Sequence, residues 1–123
     1  MKGEERRKYI RVFLPAGQMR ILSGPLLVLV GKIIDISVGG VKFSAESEYA
    51  NGDTVELEIT LPNSVKFKCS AEIVGVAGTG KKENKKLYMA KFVSLSAGEQ
   101  EMLGEFIETT KAEQDSILWN ELN

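Results

Sequence analysis

The sequence predicts an all-β fold, a six-stranded antiparallel β-barrel with a C-terminal α-helix. Three observations predict it. Between Val12 and Val93, short runs of alternating apolar and polar residues are separated by turns rich in Gly, Asn, Pro or Lys. At Ser96 the apolar period changes to that of a helix. Six strands of this length close best as a barrel, because closure removes exposed edges. With 123 residues the chain makes one domain, divided into a basic head over 1–11, the barrel over 12–95 and the helix over 96–122.

Gln18 to Leu22 and Leu27 to Ile36 form a strand pair joined at Ser23-Gly24-Pro25, and Val41 to Ala45 resumes after Gly39-Gly40. Thr54 to Leu61 is the clearest strand. Val55, Leu57, Ile59 and Leu61 share one face with Glu56, Glu58 and Thr60 on the other, the pattern of a half-buried antiparallel strand. Val65 to Val76 repeats it, with Phe67, Cys69, Ala71 and Ile73 inward, and Leu61-Pro62-Asn63-Ser64 supplies the tight turn between the two. Gly78 to Lys85 holds no apolar residue and is expected to be a mobile loop tip before the last strand, Lys86 to Val93.

Ser96-Ala97-Gly98-Glu99 matches a capping box, which satisfies free amides at a helix start. Met102, Leu103, Phe106 and Ile107 then form a stripe suited to covering an open barrel end. Glu108 to Ser116 has almost no large apolar residue before a second cluster, Ile117, Leu118, Trp119 and Leu122. At 1.5 Å per residue that cluster lies roughly 15 Å or more beyond the first. Two destinations fit it: the chain's own barrel, or a second copy in a homodimer.

Composition excludes much chemistry. With no histidine and one cysteine, the chain has no imidazole base, no Ser/His/Asp triad, no internal disulfide and no His-rich or Cys-rich metal site. Asp35 has no second catalytic carboxylate beside it, and no phosphate-loop motif occurs, so the sequence reads as a non-enzyme without a cofactor. Cys69, on the apolar face of its strand, belongs to the core. The longest apolar run, Pro25 to Val30 with Ile33 and Ile34 just beyond, falls well short of the roughly 20 residues a membrane span needs. No signal-peptide pattern is present, which with one unpaired cysteine predicts a cytoplasmic protein.

The net charge of −1 hides an uneven distribution. Lys2, Arg6, Arg7, Lys8 and Arg11 face only Glu4 and Glu5 in the head, whereas Glu99 to Asn123 holds seven acids against Lys111. Three of the four arginines lie between positions 6 and 11, and arginine suits bidentate phosphate recognition. Arg7 and Arg11 would lie about 13 Å apart on one side of an extended segment, or be close neighbours in a helical turn. Arg6 points elsewhere in either case, so the three guanidiniums can surround a ligand. The head has no amphipathic pattern and is expected to be loosely ordered unless an anion holds it. Taken alone, it reads more simply as a solvated basic tail.

The second feature is Asp35-Ile36-Ser37-Val38-Gly39-Gly40. If Ile34 and Ile36 face the core, Asp35 and Ser37 share the outer face. Gly39 and Gly40 permit positive φ and close backbone approach, and such turns expose amides to anions. A carboxylate accepts two hydrogen bonds from a guanine edge, and a serine donates to phosphate or ribose. Lys42, outward beside the turn, is a candidate extra phosphate contact. The plainer reading of this motif is an Asp/Ser turn that caps its own backbone.

Together the two motifs resemble the PilZ domain family: RxxxR at Arg7 to Arg11, then D/NxSxxG at Asp35, Ser37 and Gly40. Gly40-Val41-Lys42-Phe43 and Met89-Ala90-Lys91-Phe92-Val93-Ser94-Leu95 are also similar to that family's strands, so the resemblance runs from Arg6 through nearly the whole chain. It implies a receptor for the bacterial second messenger cyclic di-GMP. Arg7 and Arg11 would clamp phosphate and guanine, Asp35 and Ser37 would contact base or ribose, and Gly39 and Gly40 would form the close-approach turn. Arg6 makes the run RRxxxR, which in the family accompanies two intercalated ligand molecules. Met89 departs from the pattern, because many members carry glycine there, and this bears on the local shape of the last strand. The short lead before Arg6 predicts that output comes from surfaces of this one domain, through a protein partner the sequence does not name.

Two other classes compete. A nucleotide-independent PilZ-like adaptor would use its barrel and tail for docking. A nucleic-acid-binding barrel would need exposed aromatics beside the basic groups, and only Tyr9 and Phe13 lie near, which makes nucleic acid an unfavoured partner.

Overall fold

The computed structural model describes residues 11–14, 17–22, 28–79 and 86–122. Seven strands, β1 (Val12–Phe13), β2 (Gln18–Leu22), β3 (Val28–Ile36), β4 (Gly40–Ala45), β5 (Thr54–Thr60), β6 (Lys66–Thr79) and β7 (Lys86–Phe92), precede one helix, α1 (Ala97–Leu122). All pairings are antiparallel, and β2, β5, β6, β7, β4 and β3 form a closed ring. The two longest strands make the closure possible because each changes partner along its length. β3 pairs with β2 over Val28–Lys32 and with β4 over Lys32–Ile36, while β6 passes from β5 to β7.

The six expected strands are present within a residue or two at most ends. Two differences have local causes. β6 continues to Thr79, so Gly78 and Thr79 belong to a strand, not to a loop tip. β1 is an additional strand of two residues, too short for alternation to reveal, laid along β3 with Val12 opposite Ile36 and Phe13 opposite Asp35. The Ser23-Gly24-Pro25 turn, residues 80–85 and the side chains of the 117–122 cluster lie outside the described residues.

The barrel is filled from every strand of the ring, with Met19, Ile21, Ile33, Phe43, Leu57 and Ile73 among the fully buried side chains. Tyr88 is also buried, and its hydroxyl donates to the Ser47 carbonyl (2.7 Å) and accepts from the Tyr49 amide (3.1 Å). It thereby fixes the β4–β5 crossing. At the start of α1 the capping box forms as the spacing predicts. The Glu99 amide donates to Ser96 Oγ and the Ser96 amide to Glu99 Oε1, both at 3.1 Å. Leu103 and Ile107 are buried against the barrel, with Met102 and Phe106 partly buried beside them.

Candidate functional site

The strand β3 that carries the acidic motif is bulged. Ile33 lies opposite Phe43 and Asp35 opposite Lys42, so Ile34 has no counterpart on β4. The extra residue shifts the alternation: Ile33 and Ile36 are the core residues, and Ile34 is only half-buried. The expectation that Ile34 and Ile36 both face inward, leaving Asp35 and Ser37 on one outer face, is therefore corrected. Asp35 faces outward. Ser37 is 3% exposed, and its Oγ accepts from the amides of Gly39 (3.1 Å) and Gly40 (3.2 Å).

The glycine pair forms its turn without the positive φ that its sequence permits. Positive φ among the described residues occurs at Gly52 (96°) and Ser64 (73°), not at Gly39 or Gly40. Both turn amides donate to Ser37 Oγ. Gly40 is required by the neighbouring strand, since a Cβ there would run into the Ala90 carbonyl oxygen. Ser37, Gly39 and Gly40 thus build and hold the β3–β4 turn that presents Asp35.

Arg11 reaches that carboxylate directly, with Nη1 donating to Asp35 Oδ1 at 2.6 Å. The pair is part-exposed, 43% for the arginine side chain and 23% for the aspartate. A guanidinium has five N–H donors, so the contact orients the group and leaves others for a ligand oxygen. Lys42 lies next to Asp35 on β4 and makes no ion pair among the described residues. Arg6 and Arg7 lie outside the described residues.

The ladder extends this surface into one outward row across four strands and β1: Phe13, Asp35, Lys42, Met89 and Gly75. Phe13 is 60% exposed and Met89 is 36% exposed, so apolar surface flanks the charged centre. A guanidinium held by an acid beside a second cation, with apolar walls on both sides, suits an anionic ligand that also has flat apolar faces.

A family model for the PilZ domain matches residues 5–109. The chain belongs to the PilZ domain family. Among solved structures, the PilZ chain resembles Escherichia coli YcgR in complex with c-di-GMP at 17% identity and a TM-score of 0.77, covering 96% of this chain and 51% of that one. It resembles the Bacillus subtilis inhibitor of motility MotI/DgrA at 20% identity and a TM-score of 0.73, covering 88% and 52%. The K. pneumonia MrkH–c-di-GMP complex matches at 16% identity and a TM-score of 0.76, covering 90% and 55%. The chain spans about half the length of these proteins, and the likeness is one of fold. No curated protein matches it.

Within the PilZ fold the Met89 departure is accommodated locally. β7 keeps an unbroken register with β4, and Met89 Cε lies 2.6 Å from where a Cβ on Gly75 would stand. The methionine occupies space left by a glycine on the next strand, opposite a register shift in β6. Sequence reasoning missed Phe13 as a wall of this surface. Its place follows from β1 and the residues beside it, where Arg11 and Phe13 lie outward and Val12 and Leu14 lie in the core.

Proposed function

We propose that this chain is a cyclic di-GMP receptor of the PilZ family whose arginine head becomes ordered on ligand binding and signals through protein contacts. The observation that carries the reading is the Arg11–Asp35 pair on the outer barrel surface, at the end of an RRxxxR run. In this reading Arg7 and Arg11 grip phosphate and guanine, and Arg6 serves a second, intercalated ligand molecule. Asp35 orients Arg11 and offers its remaining lone pairs to a guanine edge, and Lys42 adds a phosphate contact. Ser37, Gly39 and Gly40 act by holding the turn. The chemistry is binding, not catalysis, and the proposed setting is the bacterial cytoplasm.

The magnitudes fit a switch. Micromolar affinity needs about 8 kcal/mol, and a few charge-assisted hydrogen bonds at roughly 1.5 to 3 kcal/mol each supply most of it. Ordering the head costs about 1 to 2 kcal/mol per residue, so net affinity depends steeply on each arginine. Isothermal titration with cyclic di-GMP, using GMP and cyclic di-AMP as controls, is expected to show selective binding. Arg7→Ala and Arg11→Ala should each weaken it by about tenfold or more. If both variants titrate like wild type, the arginine assignment is wrong. If wild type gives no binding, the nucleotide-independent adaptor becomes the better reading, with its tail as the docking element.

A further inference from the structure

β1 is held on two sides by different parts of the molecule. On one side it pairs with β3, and its neighbour Arg11 reaches Asp35. On the other side no strand among the described residues pairs with it, and Gln114 of α1 donates from Nε2 to the Phe13 carbonyl at 3.0 Å. The helix thus meets the outer edge of the strand that directly follows Arg11.

Within residues 108–116 of α1 few side chains are covered. Among the described side chains beyond Ile107, residues 108–109, 111–113 and 115–116 are exposed and Thr110 and Gln114, one turn apart on the same face, are half-buried. A groove of 680 Å³ separates this stretch from the barrel, lined by Phe13, Leu14, Pro62, Phe106, Thr110 and Gln114 among others. A helix segment with few buried contacts and open space beneath it belongs to the low-stability end of a fold, where small biases shift populations.

We propose that Gln114 is a positioning residue for the arginine site and that distal α1 is the element through which ligand occupancy is read out. The inference rests on the cyclic di-GMP reading above. Ligand that fixes Arg11 fixes the Phe13 carbonyl two residues on. This favours the docked state of α1 over a state in which Gln114 is released. By linkage, the docked helix strengthens ligand binding to the same extent.

The test combines calorimetric titration of cyclic di-GMP with amide hydrogen exchange over residues 109–116, on the full chain. Gln114→Met keeps the side-chain length and helix propensity but removes the donor. Gln100→Met removes a similar donor elsewhere on α1, the one that bonds the Leu95 carbonyl at 3.2 Å, and serves as the control. In wild type and Gln100→Met, saturating ligand should slow exchange over 109–116. In Gln114→Met that slowing should vanish while residues 11–14 remain protected by ligand, and affinity should fall by roughly two- to tenfold. Wild type that binds ligand with unchanged helix exchange overturns the inference alone, as does Gln114→Met behaving like wild type. Absence of any binding to wild type overturns the receptor reading, and this inference with it.

Discussion

Ser37 and Asp35 lie two residues apart in one motif and have separable roles. The Ser37 hydroxyl accepts from two successive amides, of which the Gly40 amide is buried. Removing it leaves those donors without their acceptor, at about 1 to 3 kcal/mol. Ser37→Ala should therefore lower the thermal midpoint by several degrees and change ligand affinity little in the fraction that stays folded. Asp35→Asn should do the reverse. The Arg11 pair is part-exposed, so its loss should cost about 1 kcal/mol or less in stability, while the guanidinium loses its orienting charge and affinity drops by about tenfold. Parallel melting curves and titrations decide between the roles. A Ser37→Ala variant that melts like wild type but no longer binds would return Ser37 to the ligand.

At the scale of elements, the sequence was most legible where one residue type had one job. The apolar face of Thr54 to Leu61 could be read directly, although Glu58 on the polar face is itself buried and paired with Arg20 at 3.1 Å. Ser96 and Glu99, which exchange two hydrogen bonds across one helical turn, were equally legible. Ser96→Ala should cost about 1 kcal/mol, visible as a drop of a few degrees in midpoint; no change would mean that the helix start is held by packing alone. The β3 bulge was harder to read because Ile33 and Ile34 are chemically identical neighbours, and either could be the inward one. Only the pairing with Phe43 and Lys42 decides between them. β1 and Gln114 were invisible for a related reason. A two-residue strand has no period, and one glutamine on a polar helix face has no signature until the strand edge beside it is known.

At the scale of the whole molecule, ring closure makes the core accessible only through large openings. Every barrel strand is paired on both edges somewhere along its length, and local fraying therefore exposes little. Cys69 is a natural probe of this, because it is 4% exposed on β6 and lies opposite Leu57 of β5. Burial, reinforced by the negative charges of Glu99 and Glu56, pushes its thiol from 9.0 up to about 12. Near pH 8 a thiol reagent should label the native chain only through global opening, with a rate that rises with denaturant as the unfolded population does. Fast labelling that ignores denaturant would mean a local gap between β5 and β6. The same shift also has a fixed sign in stability. The contribution of the protonated thiol is fully present below pH 9, where both states keep the proton. It is lost as pH rises from 9 towards 12, because the unfolded chain releases that proton first. All other groups are common to both chains, so the informative quantity is the difference between wild type and Cys69→Val. That difference should be flat below pH 9 and move against wild type above it, and a difference that stays flat to pH 11 would show that the thiolate is tolerated in the closed barrel.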